Sequence, residues 1–152
     1  MYLSQPSDDH LVELMSWFTT ENELKLWSGP NFRFPFDLHS FKDDLKLDTL
    51  ASFSLLSAKS ELLGFGQYYL RLGKCHLGRL VINPGFRGQG IAAHLIQQLC
   101  SKGKADLSAH VCSLFVMERN DSAIKSYQKF GFIFQSYPEE LSLKNCLYMV
   151  KA

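Results

Sequence analysis

A strand that passes through a glycine-rich turn into a helix is the strongest fold signal in the sequence. Leu77–Ile82 is rich in β-favouring residues and must stop at Asn83-Pro84-Gly85, because proline lacks the backbone donor of a strand ladder. The following residues, Arg87-Gly88-Gln89-Gly90-Ile91-Ala92, lead into a helix predicted from about Gly88 to Ser101. Its apolar face consists of Ile91, Leu95, Ile96 and Leu99. We expect Gly103 to end this helix. The region therefore predicts a strand, a turn and a helix in succession.

The elements predicted around this unit alternate between helices and strands. Ser7 can cap a first helix, whose apolar residues are Leu11, Leu14, Met15 and Phe18. An aromatic, turn-rich loop is expected from Trp27 to Phe36, a short helix at Phe41–Leu47, and a later helix between Asn120 and Gly131. Strands are predicted at Leu50–Ser57, Glu61–Leu72, Val111–Met117, Phe132–Ser136 and Leu141–Val150. The order is a helix, several strands and then β-α-β-α-β-β, which is typical of an α/β domain.

The composition favours a single ordinary globular domain. The chain has 152 residues, 46% hydrophobic and 20% charged, without a repeat or a linker, so we assign residues 1–152 to one domain. A net charge of +1, carried by scattered Lys and Arg, argues against nucleic-acid or membrane partners. Met1–Asp9 lacks the pattern of a leader peptide, and no apolar run reaches the roughly 18 residues of a membrane span. We therefore expect a cytoplasmic protein.

The four cysteines do not predict a metal site or a redox centre. Cys75, Cys100, Cys112 and Cys146 are widely spaced, without the close pairs of a zinc site or a redox dithiol. Free cysteine behaves as a small apolar residue. We expect four reduced thiols, mostly buried, and no bound metal.

The turn from Arg87 to Ala92 has the chemistry of a diphosphate-binding site. Gly88 and Gly90 let several backbone N–H groups point in one direction, and the helix behind them adds about half a positive charge at its N-terminus. The missing side chains also permit a ligand to approach closely. The alternative interpretation is a glycine-rich turn that only begins a helix.

Two sequence blocks together resemble one known family. Arg87-x-x-Gly90-x-Ala92, placed after Leu80-Val81-Ile82, is similar to the coenzyme A signature of the GNAT acetyltransferase superfamily. Asn120-x-x-Ala123-x-x-x-Tyr127-x-x-x-Gly131-Phe132 is similar to the downstream block of that family. The resemblance covers Leu77 to about Phe134, and elsewhere rests on the order of elements. It implies an α/β (α+β) fold with a mixed central sheet of six to seven strands, flanked by about four helices in three layers.

The resemblance also implies a function and a set of site residues. The function is transfer of an acetyl group from acetyl-CoA, as cosubstrate, to a primary amine of a small molecule, peptide or protein, without a metal. Backbone groups of Leu80, Val81 and Ile82 would contact the pantetheine arm, which would lie beside the strand like an added partner. The phosphates would be held by Arg87, Gly88, Gln89, Gly90, Ile91 and Ala92. Asn120 would contact the cofactor region or cap its helix, and Tyr127 would serve the departing thiol as the catalytic residue, unless it is only a buried helix aromatic.

The implied reaction leaves the general base undecided. A neutral amine would attack the thioester directly, and a strand N–H near Ile82 would stabilise the oxyanion of the tetrahedral intermediate. Many family members have a glutamate base on the strand before the asparagine block, where this sequence has Phe115. Glu118 and His76 are the remaining ionisable candidates, and a water or an already neutral amine is the further alternative.

The acceptor cannot be named from the sequence. One of the adjacent Tyr68 and Tyr69 must face the cleft, and Trp27 with Phe32–Phe36 could cover it, although such aromatics are more often core. The sequence is compatible with a homodimer but does not fix the oligomeric state, nor whether another acyl-CoA is preferred.

Three other functions fit the glycine turn less well. Gly88-x-Gly90-x-x-Ala93 also matches a dinucleotide-binding fingerprint, but the acidic residue expected after the next strand comes late, and too few βαβ units follow. The phosphate-loop NTPase pattern is absent, because no Gly-Lys-Ser or Gly-Lys-Thr occurs. A non-catalytic module that binds acyl-CoA remains the main alternative, for which the missing strand glutamate is modest support.

Overall fold

The computed structural model describes residues 1–141 and 144–152, in which seven strands and five α-helices form one mixed sheet with helices on both faces. In chain order these are β1 (Tyr2–Ser4), α1 (Asp8–Ser16), α2 (Glu21–Ser28), α3 (Leu38–Leu45), β2 (Ala51–Leu56), β3 (Leu62–Arg71), β4 (Lys74–Ile82), a 3-10 turn (Pro84–Phe86), α4 (Ile91–Leu107), β5 (Cys112–Met117), α5 (Asp121–Lys129), β6 (Ile133–Phe134) and β7 (Cys146–Lys151).

The strand order across the sheet is β1-β2-β3-β4-β5-β7-β6. Neighbouring strands are antiparallel except β4 and β5, which are parallel and joined by the crossover helix α4. This confirms the predicted mixed α/β architecture, with the upper of the two expected strand numbers and with five helices in place of about four. No helix of the described chain combines the length and apolarity needed to cross a bilayer.

The two faces of the sheet carry separate cores, and β3 is buried against both. Gly64 and Gly66 of β3 face α4, whose Leu95 and Leu99 would lie within 4 Å of any Cβ placed there. Phe65, between them, points to the other face and packs in a cluster with α1, α2 and α3. Side chains of α5 pack on the α4 side, against the cluster that contains Phe132. The layers are therefore α1–α3, the sheet, and α4 with α5.

Gly103 does not end a helix, so that prediction was wrong. It lies inside α4, which continues to Leu107 and ends at Ser108 in the left-handed conformation. A Cβ at Gly103 would lie 2.4 Å from Cys75 Sγ and 3.1 Å from the Tyr68 ring. The glycine is needed for close approach of helix and sheet, rather than for a turn.

The other differences concern short elements. Helix α2 occupies the first part of the predicted aromatic loop, and β1 was not predicted. Strand β4 begins at Lys74, three residues before the predicted start, so His76 lies inside it. The predicted last strand is observed as β7, while Ser142 and Leu143 of that prediction lie outside the described residues.

Candidate active site

The parallel strands β4 and β5 pair only over their first halves. Their register runs from Cys75↔Cys112 to Leu77↔Leu114 and then ends, although β4 continues to Ile82 and β5 to Met117. Strand β4 bulges near the point where its pairing with β5 ends. Its register with β3 shifts at Gly66, and Arg79 of β4 has a φ of +50°. Bulges bend a strand and increase its twist. A wedge therefore opens between the carboxyl ends of β4 and β5.

This wedge is part of a cleft of about 690 Å³ that reaches α2, Arg87 at the beginning of the glycine turn, and the start of α5. Its lining combines backbone of β4, aromatic side chains and a few polar groups, as is usual for a small-molecule site. A separate hollow of about 830 Å³ lies over α3 and the turn after it, and is lined by Leu38, His39, Lys42, Asp43, Lys46, Leu47, Asp48 and Thr49. It contains none of the predicted site residues, so we place the candidate active site in the first cleft.

The glycine turn has the positive backbone angles that were expected of it. Gly88 and Gly90 have φ of +79° and +73°, and a Cβ on either would meet no protein atom within 4 Å. Gly90 is the N-cap of α4 and no side chain caps that helix, so its first N–H groups are open to a ligand. Arg87 lines the cleft beside them. Ile91 is buried in the core, which leaves only its backbone to contact a ligand.

The predicted pantetheine strand also lies in the wedge. Leu80 and Val81 line the cleft, whereas the Ile82 side chain packs against the core. Beyond the pair Leu77↔Leu114, β4 and β5 are not paired. The backbone groups of β4 that face β5 are therefore open at this edge. An extended ligand could pair there as a strand does.

Tyr127 and Asn120 reach the same cleft from α5. Asn120 is the N-cap, and its Oδ1 accepts a hydrogen bond from the Ala123 N–H at 3.3 Å. Tyr127 lies two turns further along and packs its ring 6.1 Å from that of Phe132, centre to centre. Burial raises the pKa of Tyr127 to about 12, so its hydroxyl remains protonated at neutral pH and can donate a hydrogen bond.

Neither ionisable candidate has the properties of a strong general base. His76 lines the cleft but is only 2% exposed, and its Nδ1 lies 2.8 Å from Ser113 Oγ. Burial, with the positive charge of Arg71 nearby, lowers the pKa of His76 to about 3. Glu118 is exposed and is not among the residues that line the cleft in the described chain. Phe115 does line it, with its ring centre 4.6 Å from that of His76.

The acceptor side is aromatic, as expected, but its members differ in part from the prediction. Tyr69 faces the cleft, whereas Tyr68 lies on the opposite face and donates a hydrogen bond to Asp106. Trp27 lines the cleft from α2. Phe32 lies behind Trp27, 6% exposed, with ring centres 5.9 Å apart. The segment Phe32–Phe36 contributes nothing to the described lining of the cleft.

Sequence reasoning missed two polar side chains of this region, Gln67 and Arg79. Arg79 Nη1 donates to Gln67 Oε1 at 2.8 Å, and the guanidinium lies 5.0 Å from the centre of the Phe32 ring. A charged residue in the middle of the predicted strand Leu77–Ile82, whose other residues are apolar or glycine, was the available signal. The bulge, which turns Arg79 out of the normal alternation, could not be read from composition.

Comparison with known proteins agrees with this geometry. A model of the acetyltransferase (GNAT) family matches residues 11–132. A spermidine N-acetyltransferase from Vibrio cholerae, solved with CoA and spermine, has a TM-score of 0.75 at 19% identity, over 99% of this chain and 94% of that one. A ribosomal-protein-alanine N-acetyltransferase from Brucella melitensis has a TM-score of 0.71 at 18% identity, over 99% of each chain. These neighbours share the fold, and the family match spans most of the sequence. The chain therefore belongs to the acetyltransferase (GNAT) family, whose members are acetyl-CoA-dependent N-acetyltransferases.

Proposed function

We propose that this protein transfers the acetyl group of acetyl-CoA to the primary amine of a small molecule or peptide in the cytoplasm. One observation carries the proposal. A single cleft brings together Arg87 beside the uncapped start of α4, the open edge of β4 at Leu80 and Val81, and Tyr127. The free, unpaired state of all four cysteines is in keeping with a reducing compartment.

The residues present fit the donor from its diphosphate to its thioester. The N–H groups of residues 88–92, with the side chain of Arg87, would hold the diphosphate through charge-assisted hydrogen bonds, each contributing roughly 1.5–3 kcal/mol. The backbone of Leu80, Val81 and Ile82 would pair with the amides of the pantetheine arm. The Nδ2 of Asn120, for which no acceptor is found among the described residues, would contact the same arm while its Oδ1 caps α5. The donor then supplies an activated acyl group with a thiol as leaving group.

Tyr127 would act on the leaving thiol chiefly by hydrogen bonding. With a phenol pKa of about 12, complete proton transfer to a thiolate with a pKa near 8.5 is uphill by roughly 5 kcal/mol. Donation of a hydrogen bond has no such cost, and it stabilises the charge that develops on sulfur. Backbone N–H groups at the β4 edge would stabilise the oxyanion of the tetrahedral intermediate.

The described cleft has Phe115 at the position of the expected β5 glutamate, and its one lining carboxylate, Glu23, already accepts hydrogen bonds from Thr19 and Thr20. This favours an acceptor that is easily deprotonated. At pH 7 a lysine-like amine must lose its proton at a cost of roughly 4.6 kcal/mol, whereas an α-amino group needs only about 1 kcal/mol. His76 is neutral, but its low pKa makes its conjugate acid unfavourable. We therefore propose that the amine enters neutral, or loses its proton to water, rather than to a side chain.

The proposal is tested by incubating the protein with acetyl-CoA and a panel of amines while free thiol is measured. Amine-dependent thiol release is expected, with an acetylated amine detected by mass spectrometry. Calorimetry with acetyl-CoA alone gives the donor affinity independently. Without donor binding, the assignment of the cleft would be wrong.

A second candidate is a module that binds acyl-CoA without turnover. Phe115 occupies the position of the expected glutamate, the pKa of the lining His76 is lowered to about 3, and the lining carboxylate of Glu23 is bound by Thr19 and Thr20. This candidate predicts donor binding together with a silent amine panel, so the same two measurements separate it from the enzyme.

A further inference from the structure

Building on the proposed transfer, we infer that the acceptor carries a carboxylate in addition to its amine, that Arg79 binds this carboxylate, and that polyamines are poor acceptors. The inference concerns the acceptor class. Donor binding by the turn at residues 87–92 does not depend on it.

Arg79 is a largely enclosed cation without a counter-ion in the described chain. Burial lowers the pKa of its guanidinium, yet no carboxylate in the described residues forms an ion pair with it. The nearby Asp44 is already bound by Arg33, whose Nη2 and Nε lie 3.1 Å and 3.2 Å from its two oxygens. Arg79 Nε is buried and has no acceptor among the described atoms. A carboxylate ligand would supply the missing charge.

The orientation of Arg79 is fixed before any ligand arrives. Gln67 Nε2 donates to the Leu45 carbonyl and to Ser52 Oγ, both at 2.8 Å, which leaves Oε1 to accept from Arg79 Nη1. The Phe32 ring packs on the guanidinium. One of its five N–H donors is thus engaged, and the fork that remains suits a carboxylate. Both Gln67 and Arg79 line the cleft.

The charges of the cleft oppose a polycation. Three lining cations, Lys46, Arg79 and Arg87, outnumber the one lining carboxylate, Glu23, while the fourth lining cation, Lys25, is paired with Glu21 at 3.1 Å. Glu23 accepts hydrogen bonds from Thr19 and Thr20. Arg71 adds a further positive charge, 4.9 Å from the ring centre of Phe115. A second ammonium group on the acceptor would meet repulsion here, whereas a carboxylate would be attracted. The fold shared with a spermidine N-acetyltransferase therefore does not carry its acceptor over.

The test uses three acceptors of matched length, 5-aminopentanoate, pentylamine and 1,5-diaminopentane, with thiol release as the readout. It is run at about pH 9, where deprotonating these basic amines costs about 2 kcal/mol rather than roughly 4.6 kcal/mol. We expect 5-aminopentanoate to have at least a tenfold higher kcat/KM than either of the others. An aspartate-containing tetrapeptide with a free N-terminus, compared with its asparagine analogue, shows whether a peptide supplies the carboxylate. Equal rates for the three amines, or a preference for the diamine, would overturn the inference.

The variant Arg79→Met removes the charge while keeping the length of the side chain. It should lose about 10- to 100-fold in kcat/KM for 5-aminopentanoate, mainly through KM, with pentylamine affected less than threefold. Arg79→Lys should recover part of the loss, and Lys59→Met, in the exposed turn between β2 and β3, is the charge-matched control. Equal losses on all three amines would contradict a carboxylate-binding role.

The inference can also be separated from the proposed function. Should no amine release thiol, calorimetry with glutarate as the probe, in the presence of CoA, measures the anion site directly. Binding by the wild type that Arg79→Met abolishes supports the inference even if the protein is not catalytic. Absence of binding, with donor binding intact, refutes it.

Discussion

Tyr127→Phe removes one oxygen atom from the cleft and should slow turnover without weakening donor binding. The ring contact with Phe132 is retained, so the fold should be unchanged. The lost interaction is a hydrogen bond to a developing thiolate, and such charge-assisted bonds contribute roughly 1.5–3 kcal/mol. At 1.36 kcal/mol per factor of ten, this predicts a decrease in kcat of about 10- to 150-fold.

The assay compares kcat by thiol release and donor affinity by calorimetry in the wild type and in Tyr127→Phe. Tyr2→Phe, which removes an exposed hydroxyl from β1, is the matched control and should behave as wild type. Because the pKa of Tyr127 is about 12, its deprotonation should not limit activity below about pH 11, so both proteins should share the same pH profile up to that point. An unchanged kcat in Tyr127→Phe would refute the proposed action on the leaving thiol.

Three further substitutions test the turn, the helix-sheet contact and the buried histidine. Gly90→Val places a side chain at φ +73° and should weaken acetyl-CoA binding more than tenfold by calorimetry. The control is Gly73→Val, also at φ +73° with open space around its Cβ. It should carry the same backbone strain of about 1–2 kcal/mol and bind acetyl-CoA normally. Gly103→Ala would place its Cβ 2.4 Å from Cys75 Sγ, so urea unfolding should show a loss of about 1–3 kcal/mol from overpacking; an unchanged midpoint would mean that α4 shifts freely. The pKa of His76 is lowered from 6.5 to about 3, so between these values the unfolded chain binds a proton that the folded chain does not. The contribution of His76 to the free energy of unfolding is therefore complete above about pH 6.5. Below that pH it falls by about 1.4 kcal/mol per pH unit. His76→Gln should make unfolding free energy less steep between pH 6 and pH 4, and parallel pH curves would argue against the lowered pKa.

The parts of the fold that the sequence predicted well are those with long periodic patterns or unambiguous stops. The β4-turn-α4 unit and α5, opened by Asn120 and followed by Gly131 at φ +97°, both follow from local rules of capping and positive φ. Strand alternation likewise predicted that one of Tyr68 and Tyr69 faces the cleft, and the structure shows that it is Tyr69. These features are decided within a few residues of chain.

The missed features depend on contacts that are remote in sequence. Helix α2 has only eight residues, too few for a clear period, and its position is fixed by burial of Leu24 and by stacking of Trp27 on Phe18 at 4.5 Å. Gly103 was interpreted as a terminator because the sequence does not show that a sheet lies against it. The orientation of Arg79 depends on a bulge, which is a property of strand pairing. The roles assigned to the donor-binding residues and to Tyr127 stay predictions.

The separation of β4 from β5 places open backbone groups in the interior of a sheet rather than at its border. Exposed outer strands invite pairing with other chains and hence aggregation. Here the open stretch lies in a cleft bordered by residues of α2 and α5, so it is less accessible to a strand of another folded protein than an outer strand is, and it favours a slender flexible molecule. The geometry that offers hydrogen bonds to a ligand thus also restricts which molecules can form them.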